Sequence, residues 1–521
     1  MPLLHYRRRG TFWYVGDGLI WDSLDVRPRR QGNRPLECSC KLLVYNPQRR
    51  PAAVAVRFYH TDRAPTALAI SVPPRAVESL ELSGLDQVPH RQSFWIAVSS
   101  DIPVLPQARH EDYTFWDQVP DALISTSPYP GPLTTETSWV FPDCYQSDPT
   151  GPWYELETLT ILNPNRRPAS VRIRYLLRNA EGGAEEEIEA PPERVAQLNI
   201  WERRPHPIGH PNGPSVHVTG DYAVRIDASR PVIAQTTRRA RWSGYPCVIG
   251  ARSTMGLPLR GRGHTLWYYP GGEVVDRGIM PRARDEEHPL SQCDNTWNLL
   301  FINNLDDRHE AHATIAFHRP RGAAARSRPV AIPPLKSSLQ CLHGKPWLGS
   351  YTRIGEPFAI AVSANRPVVP EVTCAEFEMW SQVMPGAMSA VNLYPGPLRR
   401  ERTWWLGIGP AGGADDHPLE WVQSYHLFNP GRQPARIRFA VLGLGRRTTP
   451  SQVIIVSPGA VALVESSEIA GLPLHRPFAV RASGDRPFCA QAFVRAFTRG
   501  LPHTRSMYSM IGVPMTLELS A

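Results

Sequence analysis

Short apolar runs that end in turns recur along this chain, and their spacing predicts β-strands. Residues 171–175 read Val-Arg-Ile-Arg-Tyr, which places Val, Ile and Tyr on one face and Arg on the other. Runs of the same kind occupy residues 53–59 and 435–439. A period of two is typical of a strand with one buried face. No stretch shows the longer period of an amphipathic helix, so the pattern predicts an all-β fold.

Three markers recur in one order, four times over. The first is an Asn that closes an apolar run: Asn46, Asn163, Asn303 and Asn429. The second is a Gln or Glu that follows a Pro-containing strand: Gln107, Gln235, Glu371 and Gln491. The third is a Trp near each opening: Trp13, Trp139, Trp267, and Trp404 or Trp405. A repeat of this length is the size of a domain. The markers predict domains at 1–130, 131–259, 260–396 and 397–521, which we name units 1 to 4.

Within each unit, short strands separated by Pro-containing turns predict an antiparallel β-sandwich. The joints between units are short and rich in Pro and Gly, as in 129–133, 256–259 and 394–398. Such stiff joints favour units that pack in a fixed relation. Closure into a ring buries a side of every unit. We therefore expect four tandem antiparallel sandwiches in a pseudo-four-fold arrangement.

Composition narrows the class of protein. The chain has 54 Pro in 521 residues, which suits turns and strand ends better than helices. Its net charge is +9, but all but three of the 57 basic residues are Arg, so the charge is weak support for nucleic-acid binding. The eight Cys do not recur between repeats, which favours free thiols. Without a signal peptide or an apolar span, we expect a soluble, cytoplasmic protein without membrane insertion.

The order of markers resembles the sensory rhodopsin transducer family. In unit 1 the residues that follow the family's order are Trp13, Gly18, Leu19, Ile20, Asn46, Tyr59, Asp62, Val72, Pro73, Pro103, Val104 and Gln107. Residues 122–126 are similar to the family's closing strand. Unit 2 keeps Glu157 ahead of Asn163 and the run Gln235-Thr236-Thr237-Arg238. The resemblance extends over nearly the whole chain, in four copies.

The resemblance implies a jelly-roll sandwich similar to carbohydrate-binding modules, and a homotetramer of single domains. It also implies a cytoplasmic signal-transfer protein that binds a ligand or DNA, and not an enzyme. This chain would be a monomeric pseudo-tetramer, a covalent version of that assembly. The four copies differ: Glu371 replaces the Gln in unit 3, and the Thr-Arg pair is whole only in unit 2. The position of Glu157 holds Cys40, Trp297 and Gln423 in the other units.

Candidate ligand-binding residues come from these polar positions and from aromatic residues outside the recurring set. They are Glu157, Gln235, Thr237, Arg238, Gln107, Arg109, Gln491, Trp153 and Trp421, with Trp21 as a further aromatic candidate. Trp stacks on sugar faces, and Arg binds carboxylates in a fork geometry. The alternative is structural: Asn and Gln at strand ends bond to backbone in turns, and the recurring Trp plug the core.

Two clusters of acids beside a His suggest a rival interpretation as a carbohydrate-active enzyme. They are Asp285-Glu286-Glu287-His288 and Asp415-Asp416-His417. Such groups can act as general acid and general base in catalysis. Surface loops also carry polar residues simply because they are solvated. No nucleophile elbow, phosphate-binding loop or zinc motif is present in the sequence. This absence weakens the case for an enzyme and leaves the catalytic residues unassigned, and no metal or cofactor is expected.

The favoured interpretation is a non-enzymatic cytoplasmic protein that binds a small ligand, such as a sugar or sugar acid, or a protein partner. The carbohydrate-active enzyme is the first alternative. A nucleic-acid-binding regulator that uses the Arg excess is the second, and its affinity would fall steeply with salt.

Overall fold

The computed structural model confirms the all-β prediction. It describes residues 12–19, 38–89, 92–112, 122–126, 129–130, 136–151, 153–178, 183–242, 248–259, 264–275, 296–344, 346–377, 385–409, 419–443, 451–469, 472, 477–498 and 504–514. These residues form antiparallel strands and two single-turn 3-10 helices, Ile200–Glu202 and Ser466–Glu468, with no α-helix among them.

Unit 1 pairs a five-stranded layer with a four-stranded layer. Its strands are β1 Phe12–Leu19, β2 Cys38–Tyr45, β3 Ala52–Tyr59, β4 Thr66–Val72, β5 Val77–Glu81, β6 Ser93–Ser100, β7 Leu105–Asp112, β8 Ala122–Thr126 and β9 Tyr129–Pro130. The first layer runs β4-β3-β6-β1-β9 and the second β5-β2-β7-β8. β3 alternates buried and exposed residues along its first half, as its sequence predicts.

Unit 2 repeats the plan with one difference. Its strands are β10 Glu136–Gln146, β11 Trp153–Asn163, β12 Ala169–Leu177, β13 Ala184–Ala190, β14 Arg194–Asn199, β15 His206–Pro207, β16 Gly220–Trp242, β17 Val248–Met255 and β18 Leu257–Pro258. β16 is continuous where unit 1 has two strands. Its first part pairs with β10 and β12 in one layer, and its second part pairs with β11 and β17 in the other.

Unit 3 also has a continuous strand. Its strands are β19 His264–Gly272, β20 Thr296–Asn304, β21 Ala311–His318, β22 Ala325–Arg326, β23 Val330–Ile332, β24 Ser337–Cys341, β25 Phe358–Phe377, β26 Pro385–Asn392 and β27 Tyr394–Pro395. Short strands separated by Pro-containing turns were predicted in every unit, whereas units 2 and 3 each contain one long strand, β16 and β25. Pro231 of β16 and Pro367 of β25 fall where each strand passes between layers and have no partner in the ladder, so their missing N–H groups break no ladder hydrogen bond. β25 holds a second proline, Pro370, which lies opposite Ile302.

Unit 4 returns to the plan of unit 1. Its strands are β28 Thr403–Gly409, β29 Leu419–Asn429, β30 Ala435–Leu442, β31 Ser451–Val456, β32 Ala460–Glu465, β33 Phe478–Gly484, β34 Cys489–Thr498, β35 Thr504–Ile511 and β36 Val513–Pro514. One layer runs β31-β30-β33-β28-β36 and the other β32-β29-β34-β35. The described strands therefore group into four pairs of layers in the same order along the chain.

The recurring Trp lies in the core of each unit. Trp13, Trp139 and Trp404 are fully buried and Trp267 is 4% exposed, which confirms the core interpretation. The indole N–H of Trp139, Trp267 and Trp404 donates to the carbonyl three residues before the recurring Gln or Glu. The same bond identifies Trp404, and not Trp405, as the recurring residue in unit 4.

The recurring Asn ties a turn to the backbone. Asn163 Nδ2 donates to the carbonyls of Arg167 and Ala190, each at 2.9 Å, and its Oδ1 accepts the N–H of Asn165. Asn46 and Asn429 make the same three contacts. In unit 3 these contacts belong to Asn304, so the sequence marker at Asn303 was one residue early. Because Asn303 and Asn304 are adjacent, the sequence alone did not show which of them makes these contacts.

The last strand of the four-stranded layer joins the units to one another. β8 contacts β17, β17 contacts β26, β26 contacts β35, and β35 contacts β8. The contacts thus form a closed cycle, and the first unit along the chain touches the last. This cycle brings the four equivalent strands into contact with one another.

Candidate functional site

The recurring Gln or Glu meets the opening strand of the preceding unit at a β-bulge. The register of each opening strand shifts between Val15 and Gly18, Phe141 and Cys144, Tyr269 and Gly272, and Trp405 and Ile408. A bulge leaves backbone N–H groups unpaired within its own ladder. Gln107 Oε1 accepts the N–H of Ile408 at 2.6 Å, and Glu371 Oε2 accepts the N–H of Asp143 at 3.3 Å.

At the other two junctions glycine makes room for the incoming side chain. A Cβ on Gly16 would lie 1.7 Å from Gln235 Oε1, and a Cβ on Gly271 would lie 1.9 Å from His426 Cγ. Both distances are far below contact, so neither position accepts a larger residue without movement of the neighbour. Burial lowers the pKa of His426 to about 3, which keeps this packed imidazole neutral.

A second recurring position completes these junctions. Tyr45 of unit 1 stacks on Trp405 of unit 4, with ring centroids 5.0 Å apart, and Phe428 of unit 4 meets Tyr268 of unit 3 edge-on. At the equivalent place Asn303 donates to the carbonyl of Pro142, 2.9 Å away. Asn303 therefore belongs to the junction between units 2 and 3.

The junction between units 2 and 3 buries a set of ionisable groups, which we name the charged cluster: Asp143, Glu157, Arg238, Arg252 and Glu371. All five are at most 7% exposed. Arg238 donates to Asp143 Oδ1 at 2.9 Å and to Glu157 Oε2 at 3.2 Å. Arg252 lies 2.9 Å from Asp143 Oδ2 and 3.3 Å from Glu371 Oε1. Asp143 therefore holds both guanidinium groups, and Arg252 links unit 2 to unit 3.

Two hydroxyl groups and a further acid surround the charged cluster. Thr373 of unit 3 donates to Asp143, and Thr254 donates to Glu371 Oε1 at 3.1 Å. Glu155 Oε2 lies 3.6 Å from Arg238 Nη1. The cluster is therefore mostly satisfied by its own members, which is the condition under which buried charges are tolerated.

Burial and the two arginines act in opposite directions on the acids. Burial raises the pKa of Asp143, but Arg252, Arg238 and the Thr373 hydroxyl outweigh it and leave the pKa lowered. For Glu371 burial prevails and raises the pKa to about 8. Burial likewise raises the pKa of Glu155. Asp143 is thus more acidic than an ordinary Asp, and Glu371 is less acidic than an ordinary Glu.

This difference predicts a pH dependence of stability. A Glu whose pKa is higher in the folded than in the unfolded chain binds more protons when folded, so its contribution to stability falls as pH rises between the two values. We expect the thermal midpoint of the native chain to fall, relative to Glu371→Gln, from about pH 5 to about pH 9. A constant difference between the two proteins across this range would contradict the assignment of a raised pKa to Glu371.

The structure distributes the predicted ligand-binding residues over all four junctions. Only Glu157 and Arg238 come together with charged partners in the cluster. Gln235 Nε2 donates to Ser253 Oγ at 2.5 Å and to the Thr237 hydroxyl at 3.4 Å. Gln491 lies against the buried Tyr269 hydroxyl of unit 3. These residues therefore lie at the junctions between units. In the described part of the chain they do not line one open cleft.

Arg109 and Trp421 meet at the junction of units 4 and 1. The guanidinium of Arg109 lies 5.5 Å from the Trp421 ring centroid, and its Nε is 2.7 Å from Glu111 Oε1. Trp421 is 8% exposed. Trp153 opens β11 opposite Trp242, and its side chain lies outside the described residues. Trp21 and the two acid–His clusters, 285–288 and 415–417, also lie outside them.

The sequence analysis did not identify Asp143 and Arg252 as site residues. It also assigned the wrong residue of unit 3 as the counterpart of Glu157. The residue that corresponds to Glu157 in unit 3 is Asn298, because Asn298 pairs with Cys374 as Glu157 pairs with Arg238. Trp297, the predicted equivalent, is one residue out of register, which is the same shift as at Asn303. A Pro-Asp pair after the recurring Trp was the available signal for Asp143.

No helix among the described residues is long and apolar enough to cross a membrane.

Comparisons with known proteins bear on the first two units directly. The family model described as Anabaena sensory rhodopsin transducer matches residues 10–130 and 134–244. No curated protein matches the sequence significantly. Among solved structures, one titled crystal structure of Thermotoga maritima 1070 is 23% identical over 23% of this chain and 93% of its own, with a TM-score of 0.19. The Anabaena sensory rhodopsin transducer is 20% identical over 19% of this chain and 85% of its own, with a TM-score of 0.15. The resemblance is therefore confirmed for residues 10–130 and 134–244, which match the sensory rhodopsin transducer family domain.

Proposed function

We propose that this chain is a non-enzymatic, cytoplasmic signal-transfer protein that binds a protein partner as a monomeric pseudo-tetramer. Its domains are 1–130, 131–259, 260–396 and 397–521, each a transducer-like sandwich. The observation that carries the proposal is the closed cycle of contacts from β8 through β17, β26 and β35 back to β8. A closed cycle gives four units a fixed relation, which a protein needs in order to present one composite surface to a partner.

The burial of the predicted ligand residues favours a protein partner over a small sugar. Gln107, Gln235 and Gln491 are fully buried, and Arg238 is 7% exposed and already holds two carboxylates. A sugar or sugar acid would have to displace these contacts to reach them. A partner that binds the outer faces would displace nothing.

The name of the Anabaena protein indicates the class of partner to test, which is a microbial sensory rhodopsin. The purified chain is titrated onto a microbial rhodopsin in lipid nanodiscs, with empty nanodiscs as control. We expect saturable binding to the rhodopsin discs and none to the empty discs.

The rival functions are tested on the same preparation. We expect no turnover on a glycan panel and no binding to duplex DNA. Glycan turnover that Asp285→Ala or Asp415→Ala abolishes would replace the proposal with a carbohydrate-active enzyme. DNA binding that weakens steeply with salt would replace it with a nucleic-acid-binding regulator. Absence of rhodopsin binding would contradict the proposed partner class.

A further inference from the structure

One strand of unit 4 exposes aliphatic side chains to solvent. Val453 and Ile455 of β31 are 58% and 65% exposed, and Ile354 is the other large exposed apolar residue of the described chain. Val453 and Ile455 alternate along β31, so they share its outer face. Two large aliphatic residues side by side on an exposed strand mark an interaction surface more often than single ones do.

β31 also ends its layer. Its one neighbour among the described strands of that layer is β30, with which it pairs from Ser451 to Val456. In unit 2 the short strand β15 lies along part of the far side of the corresponding strand, β13, and most of the segment of unit 4 that corresponds to β15 lies outside the described residues. A free strand edge presents N–H and C=O groups to any added strand.

The equivalent positions carry charged residues in unit 2 and small residues in unit 1. Register places Val453 opposite Arg438 and Ile455 opposite Arg436. At the same places unit 2 has Glu187 and Glu189, and unit 1 has Ala69 and Ser71. Charged residues on an edge strand protect it from added strands. Unit 4 alone among these three has large aliphatic residues there.

A groove of about 560 Å³ runs beside β31 at the junction of units 3 and 4. Pro320 and Pro357 of unit 3 form one wall. Ile455, Leu463, Glu465 and Glu468 of unit 4 form the other. The groove therefore combines an apolar wall with two carboxylates, and this charge selects a basic occupant.

We propose that β31 is a docking strand for an extended segment of a protein partner, which carries aliphatic residues at alternate positions and a Lys or Arg at one end. The segment adds to the sheet through backbone hydrogen bonds. Its aliphatic side chains cover Val453 and Ile455, and its basic side chain meets Glu465 and Glu468. This inference rests on the proposed partner-binding function and names the surface that performs it.

A second copy of this chain is the less suitable occupant. Pairing of two β31 strands would bring the same groove, with Glu465 and Glu468, towards its counterpart. Like charges at an interface oppose association, whereas a basic partner segment neutralises them.

The test selects linear peptides from a displayed random library on the immobilised full chain. The enriched peptides are then synthesised and titrated by fluorescence anisotropy. The double variant Val453→Glu, Ile455→Glu places on β31 the residue type that unit 2 has at the equivalent positions. Both positions are exposed, so we expect the variant to fold. The matched control, Ala69→Glu with Ser71→Glu, makes the same change on β4 of unit 1.

We expect enriched peptides with alternating aliphatic residues and a basic residue, whose affinity for the β31 variant falls at least tenfold. Affinity for the β4 control stays unchanged. Equal binding to both variants, no enrichment, or a concentration-dependent dimer that only the β31 variant abolishes would each overturn the docking strand.

Rhodopsin binding is measured on the same variants. If it persists in the β31 variant, the docking strand is wrong and the proposed function stands; if the native chain does not bind, the partner class fails.

Discussion

Replacement of Arg238 by Met is expected to lower the free energy of unfolding by about 3–5 kcal/mol. Arg238 is 7% exposed and donates to both Asp143 and Glu157, each of which is nearly inaccessible to water. Its loss leaves two carboxylates buried with one fewer cation. Asp143 keeps Arg252 and the Thr373 hydroxyl, whereas Glu157 loses the cation that it accepts from. A buried charge without a compensating cation is costly because water does not reach it. Urea denaturation of the two proteins measures the difference.

The matched control is Arg225→Met in the same strand, β16. Arg225 forms an ion pair with Asp227 at 3.0 Å, but both side chains are 30% exposed. Exposed pairs contribute about 0–1 kcal/mol, so we expect little change from this variant. If both variants lower the free energy of unfolding equally, the charged cluster contributes no more to stability than an exposed ion pair.

Replacement of Trp405 by Ala is expected to cost about 3–5 kcal/mol and to loosen the closure of the ring. Trp405 is 1% exposed and packs with the core of unit 1, where it stacks on Tyr45. The cavity therefore opens at the contact between the last unit and the first. We expect faster amide hydrogen exchange in β2 and β7 of unit 1, although the substitution lies in unit 4.

The adjacent residue provides the control. Trp404 is equally buried but packs in the core of unit 4, where its N–H donates to the carbonyl of Phe488. Trp404→Ala should cost a similar amount of stability. Its effect on hydrogen exchange should be concentrated in unit 4. If Trp404→Ala accelerates exchange in β2 and β7 as much as Trp405→Ala does, the junction between units 4 and 1 is not a distinct contact.

The sequence predicted the parts of the fold that repeat. Alternation in 171–175 and the Asn at each strand end are local patterns, and the structure reproduces both. The error at Asn303 arose because two adjacent Asn offered two registers. The register is decided by the carbonyls of His309 and Ile332, which the chain brings to Asn304 only after the next strands have formed.

The charged cluster could not be predicted in the same way. Asp143 and Glu371 are separated by 228 residues and belong to different units. Each alone reads as an ordinary acid in a strand, and Glu371 was noticed only because it replaces a Gln. The cluster depends on how one unit meets the next, and no period in the sequence encodes that relation.

In a single chain the junctions between units can differ in their contacts, and in this protein they do. Units 2 and 3 meet through Asp143 and Glu371, whereas units 3 and 4 meet where His426 packs on Gly271. Units 4 and 1 meet where Gln107 accepts the N–H of Ile408. In a symmetric tetramer of identical subunits one substitution changes all four junctions at once. Covalent linkage removes that constraint, so each junction can bury a different set of groups. Units 3 and 4, for example, share a buried ion pair in which Arg495 donates to Glu376 at 2.8 Å.

Small-angle X-ray scattering of the full chain tests the central claim, the closed cycle of four units, most directly. A compact particle of this length has a radius of gyration of about 24 Å, and a closed ring of four units lies slightly above that value. Four such units in a row, each with a radius of gyration of about 14 Å, would give about 40 Å. We predict a monomer with a radius of gyration near the compact value. A monomer with a value near that of the row would contradict the closed cycle.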